Sequence, residues 1–215
     1  MNRGHWFSAC GLVSASLLFS LAVYSSLPEI VPTHWNIRGE ADGWGPRALA
    51  AFLFPGIMLA LLGLFRVLPW LSPKQFELDS FRSTYGWIIV LMMVLFVYIH
   101  VLSLLPGLGY QVRIDRALLG GVMLFFIFLG NLLGKVRRNF FVGIRTPWTL
   151  ANERVWADTH RVGAWTFVGT GVVGLLAVAA GASPLVPVVL ILVSSLGIVV
   201  YSLIRYKQLE RRGQL

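Results

Sequence analysis

The sequence predicts an all-α integral membrane protein with six transmembrane helices, and three observations support this class. First, 57% of the 215 residues are hydrophobic and only 13% are charged, far from the balance of a water-soluble domain. Second, the apolar residues fall into six stretches of about the 20 residues that a helix needs to cross a bilayer. Third, the basic residues lie between these stretches. We therefore expect one membrane domain over residues 1–215.

The six apolar stretches predict the helices in chain order: Phe7 to Leu27, Ala48 to Leu68, Tyr85 to Leu105, Ala117 to Gly134, Ala164 to Ala182 and Leu185 to Ile204. Each should be helical because a helix satisfies its own backbone hydrogen bonds in lipid. The first stretch is longer than the apolar region of a signal peptide and ends without a clean cleavage site, so we expect it to be retained. His100 is the one clear ionisable side chain within a span. It is either a functional group or a neutral imidazole bonded to a neighbour.

The Lys and Arg residues predict the orientation. Fourteen of the 18 fall in the termini and in the second and fourth connections, and four fall in the other connections. The positive-inside rule places the richer side, and hence both termini, in the cytoplasm. Membrane topology thus explains the formal net charge of +9, so the partner expected is the lipid bilayer and no direct nucleic-acid partner is expected.

The first connection, residues 28–47, is predicted to be an ordered loop on the outer side. Its prolines restrict the backbone, its glycines permit turns, and Asp42-Gly43 fits a tight turn. Its aromatic side chains suit the interface between headgroups and water. Two interpretations stay open, a loop anchored on the bilayer and a surface that binds an extracytoplasmic ligand. The candidate residues are Pro32, His34, Trp35, Asn36, Gly39, Asp42 and Trp44. The spacing of His34 from Glu29, Glu40 and Asp42 matches no familiar metal-ligand pattern, so no metal is expected.

The fourth connection, residues 135–163, is predicted to contain a helix that begins at a capped Thr-Pro pair. Thr146 suits the N-cap and Pro147 the first helical position. A helix from there into Arg161 would place Asn152, Trp156 and His160 on one face at i, i+4 and i+8.

That face has three interpretations. It is an interfacial anchor, a binding site packed against the inner helix ends, or an active site in which Glu153 and His160 act as acid and base. No obvious nucleophile or zinc-binding spacing accompanies these two side chains. We therefore expect no enzymatic activity and no cofactor.

Both connections resemble a known family. The outer residues Pro32-Thr-His-Trp-Asn36, Gly39 and Asp42-Gly-Trp44, followed by Pro55, resemble the N-terminal domain of unknown function found in SdpI-type membrane proteins. The inner residues resemble the SdpI signature: Gly130-Asn131, Asn139, Gly143-Ile-Arg-Thr-Pro-Trp-Thr-Leu150, Asn152-Glu153, Val155-Trp156 and Thr159-His160. The resemblance assigns residues 1–70 to the first segment and 117–205 to the second. Ala164 stands where a second glycine is expected in the family, a departure of one methyl group.

The resemblance implies a bacterial plasma-membrane protein similar to an immunity protein against a secreted, membrane-active peptide toxin. It further implies a cytoplasmic repressor protein as a partner in signalling. The implied partner-binding residues on the inner side are Asn131, Asn139, Gly143, Arg145, Thr146, Pro147, Trp148, Thr149, Asn152, Glu153, Trp156, Thr159 and His160. The residues alone leave two other classes open: a small transporter that uses His100, and a membrane enzyme that acts on lipid or peptide through Glu153, His160 and Arg145.

Overall fold

Long helices make up most of the computed structural model, which describes residues 2–74 and 78–215. The elements are α1 (Arg3–Val23), β1 (Ile30–Trp35), β2 (Ala41–Pro46), α2 (Arg47–Leu71), α3 (Arg82–Leu104), α4 (Ile114–Leu133), α5 (Pro147–Ala151), α6 (Glu153–Ala179) and α7 (Leu185–Arg211). Short 3₁₀ helices lie at Tyr24–Ser26, Leu78–Phe81 and Pro106–Leu108. Within the described residues, six helices are long and apolar enough to cross a membrane, which confirms the predicted class.

The helices pack in two groups. In the first, α1, α2 and α3 contact one another; in the second, α6 packs against both α4 and α7, and α3 joins the groups by contacting α4. Glycines bring α4 and α6 together: a Cβ at Gly130 would lie 2.7 Å from the carbonyl oxygen of Ala164, and one at Gly171 2.6 Å from that of Met123. Such small residues let helix backbones approach closely in lipid.

Pro69, inside α2, leaves one backbone acceptor without its helical partner. A proline has no N–H, so the carbonyl four residues earlier, that of Phe65, lacks its usual donor. The hydroxyl of Tyr85, on α3, donates to this oxygen at 2.8 Å. Tyr85 is 1% exposed, so the bond lies in the helix interface and ties the end of α2 to the start of α3.

Residues 30–46 form a β-hairpin, an element that the helical prediction did not include. Strands β1 and β2 are antiparallel, with Ile30 opposite Pro46 and Trp35 opposite Ala41. The turn spans residues 36–40. The side-chain oxygen of Asn36 accepts the N–H groups of Arg38 and Glu40, as asparagine commonly does in turns.

The prediction of a tight turn at Asp42-Gly43 is wrong. Gly39 supplies the positive φ of the turn, +78°, whereas Gly43 lies within β2, opposite His34. A Cβ at Gly43 would approach the Cβ of His34 to 2.8 Å. This glycine is therefore required by close strand pairing and not by chain reversal.

The helix bundle has two unlike ends. The hairpin end contains the β-hairpin, Pro106–Leu108, the start of α4 and the turn between α6 and α7. Contacts join these parts: a Cβ at Gly107 would lie 3.1 Å from side-chain atoms of Leu27 and Val31, and the Arg116 guanidinium lies beside Gly181. The basic end contains the start of α1, residues 66–74 and 78–82, residues 135–161 and the end of α7. Fourteen Lys and Arg residues belong to the basic end and four to the hairpin end.

Candidate functional site

The tip of the hairpin carries an ordered polar surface. Nδ1 of His34 lies 2.5 Å from Oδ1 of Asp42 across the strands. The amide nitrogen of Asn36 donates to Glu40 at 2.8 Å, and Arg38 pairs with the same carboxylate at 3.2 Å. The structure therefore brings His34 and Asp42 together across the strands. The turn likewise brings Asn36 and Gly39 together, since the Gly39 N–H donates to the Asn36 carbonyl.

Apolar contacts hold the base of the hairpin on the bundle. Val31 is buried in a cluster with Leu27, Ala51 and Leu104. On the strands above it, Pro32 faces Trp44, and Trp44 is 62% exposed. The hairpin is thus anchored at its base and presents Trp44, with the half-buried Trp35, near its polar tip.

The hairpin turn also rests on the start of α4. Gly39 lies against Asp115, where a Cβ would approach Oδ1 to 3.0 Å. Asp115 is held in turn by Arg113, whose guanidinium lies 3.0 Å from its carboxylate. Over residues 2–74 and 78–215, no three His, Cys, Asp or Glu side chains come close enough to form a metal site.

At the basic end, Asn139 organises the segment between α4 and α5. Its amide nitrogen donates to the carbonyls of Arg137 and Val142, at 2.8 and 2.9 Å. Its oxygen accepts the N–H groups of Phe141 and Val142, both at 2.7 Å. The side chain is fully buried, so one amide satisfies four backbone groups of an irregular segment.

Thr146 caps a short helix as the sequence predicts. Its hydroxyl accepts the N–H of Thr149 at 3.2 Å, and the Thr149 hydroxyl accepts the Thr146 N–H at 2.8 Å, a reciprocal capping box. Pro147 is the first helical residue. Trp148, in the same turn, donates its indole N–H to Ser202 of α7.

The prediction of one helix from Thr146 into Arg161 is wrong. Helix α5 ends at Ala151, and Asn152 adopts an extended conformation and caps α6 by accepting the N–H groups of Arg154 and Val155. The fifth span accordingly begins at Glu153, eleven residues before the predicted Ala164. The polar face is the first part of the membrane-spanning helix itself.

Trp156 and His160 form a stacked pair inside this end of the bundle. Their ring centroids are 4.0 Å apart with planes inclined by 17°, and both side chains are buried. The Trp156 indole donates to the carbonyl of Val136 at 2.8 Å. The pair thus fixes the chain that follows α4 onto the start of α6.

Both imidazole nitrogens of His160 contact backbone groups. The N–H of Ile144 donates to Nε2 at 3.0 Å, and Nδ1 lies 2.9 Å from the Trp156 carbonyl. Since Nε2 accepts, the proton belongs on Nδ1, which donates to the carbonyl. In this arrangement the ring has no lone pair or proton free for a substrate.

The predicted inner residues divide into a buried framework and an exposed surface. The buried members are Asn139, Thr146, Thr149, Trp156, Thr159 and His160. Asn131, Gly143, Arg145, Pro147 and Glu153 are exposed, and Trp148 and Asn152 are intermediate. Arg145 donates to the Phe140 carbonyl. A cavity of about 190 Å³ beside the stacked pair is lined by Arg137, Arg138 and Arg161 together with Glu153, so the surface next to the motif is basic.

The sequence did not indicate three groups that complete this framework. The carbonyl of Val136, the N–H of Ile144 and the hydroxyl of Ser202 each bond a predicted side chain. Two of these are backbone groups, which carry no residue-type signal. Ser202 lies 54 residues from Trp148 and has no pattern in common with it.

His100 is fully buried between α1, α2 and α3. Its Nε2 lies 2.9 Å from the hydroxyl of Ser20, which also lies 2.5 Å from the carbonyl of Ala51. Pro55 leaves that carbonyl without its helical donor. If the hydroxyl donates to Ala51, Nε2 of His100 carries a proton and donates to the hydroxyl. His100 therefore contributes to a hydrogen-bonded contact among three helices.

Comparison with known proteins gives matches along much of the chain. Residues 135–204 match the SdpI/YfhL protein family, and residues 11–59 match a domain of unknown function (DUF1648). The chain is 34% identical to the protein named Immunity protein SdpI from Bacillus subtilis (strain 168), over 161 residues that make up 74% of each protein. No solved structure matches.

Proposed function

Since this chain belongs to the SdpI/YfhL protein family, we propose that it gives its bacterium immunity to a secreted, membrane-active peptide. The chain is a multi-pass bacterial membrane protein, and the Bacillus subtilis relative carries the name of an immunity protein. The proposal also covers a role in signalling, in which a cytoplasmic repressor binds at the membrane.

The proposal includes an orientation. The basic end, with 14 of the 18 Lys and Arg residues, faces the cytoplasm according to the positive-inside rule. The hairpin end then faces outward, where a secreted peptide arrives. Both termini lie in the cytoplasm in this orientation.

The observation that carries the proposal is the ordered hairpin. A surface that is already rigid loses little conformational entropy on binding. The base of the hairpin is buried through Val31, its strands are joined by His34 and Asp42, and Trp44 is exposed beside them. Tryptophan supplies both apolar area and an indole donor, which suits contact with a peptide at a membrane surface.

The proposed contact for a cytoplasmic repressor is the exposed surface that carries Arg145 and Arg161. Each of these follows in the chain a partner of the Ile144–His160 hydrogen bond. The buried framework of Asn139, Trp156 and His160 holds this surface in place, and positive potential attracts an acidic partner. A non-enzymatic role agrees with the bonding of His160, because both of its nitrogens are engaged by the backbone.

The test is survival of cells that a membrane-active killing peptide destroys and that lack an SdpI family protein. We expect expression of this chain to raise survival and to preserve the membrane potential during exposure. Changing both Trp35→Ala and Trp44→Ala should remove the protection. Trp165→Ala is the matched control, because Trp165 is 76% exposed on α6, outside the hairpin.

Membrane levels of all variants are compared by immunoblot, so that loss of protein is not taken for loss of function. Full protection by the paired hairpin variant would contradict recognition by the hairpin. Unchanged sensitivity of cells that express the wild-type chain, over a panel of membrane-active peptides, would contradict the immunity proposal itself.

The repressor contact has its own experiment. Wild-type protein and the variant with Arg145→Glu and Arg161→Glu are used to capture cytoplasmic proteins, with Arg211→Glu and Arg212→Glu as a control of equal charge change. Recovery of a transcriptional regulator by wild type and control, but not by the Arg145 variant, supports the proposal. Equal recovery by all three would contradict it.

A further inference from the structure

A second basic site lies at the other side of the basic end, among the first three helices. It is a cavity of about 680 Å³ between the start of α1, the end of α2 and residues 79–82. Its lining includes Arg3, Arg66 and Arg82, together with Trp6 and Trp70. None of these residues belongs to the motifs discussed above.

The charge of this cavity is not balanced by the described residues that line it. Arg82 pairs with Asp79 at 2.6 Å. No carboxylate in residues 2–74 or 78–215 forms an ion pair with Arg3 or Arg66. Two guanidinium groups therefore face the same cavity without a described counter-ion, an arrangement that favours an anionic ligand.

The aromatic lining indicates where the ligand lies relative to the bilayer. Trp6 is half-buried and Trp70 is 83% exposed, both at the end of the bundle where spans begin and finish. Tryptophan favours the headgroup level of a membrane. A cavity with cations and indoles at this depth matches a molecule that is anionic at one end and apolar at the other.

The chain around the cavity is held in place. Pro69 frees the carbonyl of Phe65 and Tyr85 binds it, which fixes the end of α2 where Arg66 and Trp70 project. An adjoining cavity of about 550 Å³ shares Asp79 and Arg82 and adds Lys135 and Arg137. The positive potential therefore continues beyond the first cavity.

We propose that the cavity between α1, α2 and α3 binds the phosphate headgroup of an anionic phospholipid, with Arg3 and Arg66 as its phosphate contacts. Basic pockets between transmembrane helices on the cytoplasmic side are recognised sites for anionic headgroups. The proposed orientation enters only in deciding which leaflet supplies the lipid. Lipid binding at this cavity does not depend on the proposed immunity function.

The experiment measures lipid retention by native mass spectrometry of the purified chain in mixed phosphatidylglycerol and phosphatidylcholine. We expect the wild-type protein to retain phosphatidylglycerol in preference to phosphatidylcholine. Arg3→Gln with Arg66→Gln should reduce this preference by about 30-fold, the effect of two cations near an anionic headgroup. Arg211→Gln with Arg212→Gln, an equal charge change at the same end, should leave it unchanged.

Three outcomes would overturn the proposal. They are equal retention of the two lipids by wild type, equal loss in both double variants, and displacement of the lipid by excess inorganic phosphate, which would identify free phosphate as the ligand. Melting temperatures in phosphatidylcholine alone establish that the variants fold, and the single variants Arg3→Gln and Arg66→Gln test the site if the double variant does not fold. Because the measurement uses purified protein, its failure is separate from a failure to protect cells.

Discussion

Gly143 lies directly against the imidazole of His160. Its φ is +114°, and a Cβ placed on it would collide with Nε2, the atom that accepts the Ile144 N–H. Only glycine meets both conditions, the backbone conformation and the absence of a side chain. The ordered structure of residues 135–152 thus requires glycine at position 143, because a side chain there would displace His160.

Gly143→Ala should cost more stability than Gly109→Ala. Gly109 also has a positive φ, +88°, but nothing lies within 4 Å of a Cβ there, so its alanine variant should lose only about 1–2 kcal/mol of backbone energy. Displacing His160 should cost Gly143→Ala roughly 1–3 kcal/mol more. Thermal unfolding of both variants in one detergent measures the difference. Equal falls in melting temperature would contradict the close contact.

Asn139→Asp should release the segment between α4 and α5. The carboxylate would lose both donations, to Arg137 and Val142, and would place a charge in a fully buried position, at a cost of about 3 kcal/mol or more. Trypsin should then cut faster after Arg145. Asn131→Asp is the control, because Asn131 is exposed and makes one bond, to Ile127. Equal cleavage rates would show that Asn139 does not hold the segment.

Tyr85→Phe should destabilise the bundle by about 1–3 kcal/mol, because it leaves the Phe65 carbonyl without a donor. In a Pro69→Ala background the restored N–H at residue 69 can bond that carbonyl, so the same change should cost less. A double-mutant cycle on melting stability measures this coupling. Tyr110→Phe, at a site 62% exposed, controls for loss of a hydroxyl. Additive effects would contradict the role assigned to Pro69.

Ser20→Ala should loosen the contact of α1 with α2 and α3. It removes the hydroxyl that lies between the Ala51 carbonyl and His100, at a cost of about 1–3 kcal/mol. Ser14→Ala, on the exposed side of α1, is the control. Melting in detergent measures both. An unchanged melting temperature in Ser20→Ala would contradict this three-helix contact.

The spans and the cap of α5 could be predicted because each has a local cause. Six apolar stretches of membrane length predicted six helices, and Thr146 before Pro147 predicted the start of α5. The position of the start of α6 could not be predicted in this way. Arg154, Asp158 and Arg161 lower the apolar character of its first turns, although the helix is continuous through them.

The predictions of the hairpin turn and of one continuous inner helix were wrong because, in each place, two similar sequence signals compete. Asn36 and Asp42 both precede residues that suit a turn, and the hairpin uses Asn36 because its side chain bonds two N–H groups of the turn. In the inner segment the helical periodicity runs straight across Asn152. The break occurs because this side chain caps the next helix, an alternative that periodicity does not reveal.

Helix α6 has 27 residues and is therefore about 40 Å long. It carries the stacked Trp156 and His160 at one end, and its other end leads to Gly181 beside Arg116. If a helix of this length tilts as a rigid body by about 5° around the basic end, its far end moves by roughly 3–4 Å. A tilt of α6 that starts at the stacked pair would therefore displace the turn beside Arg116 at the opposite end of the bundle.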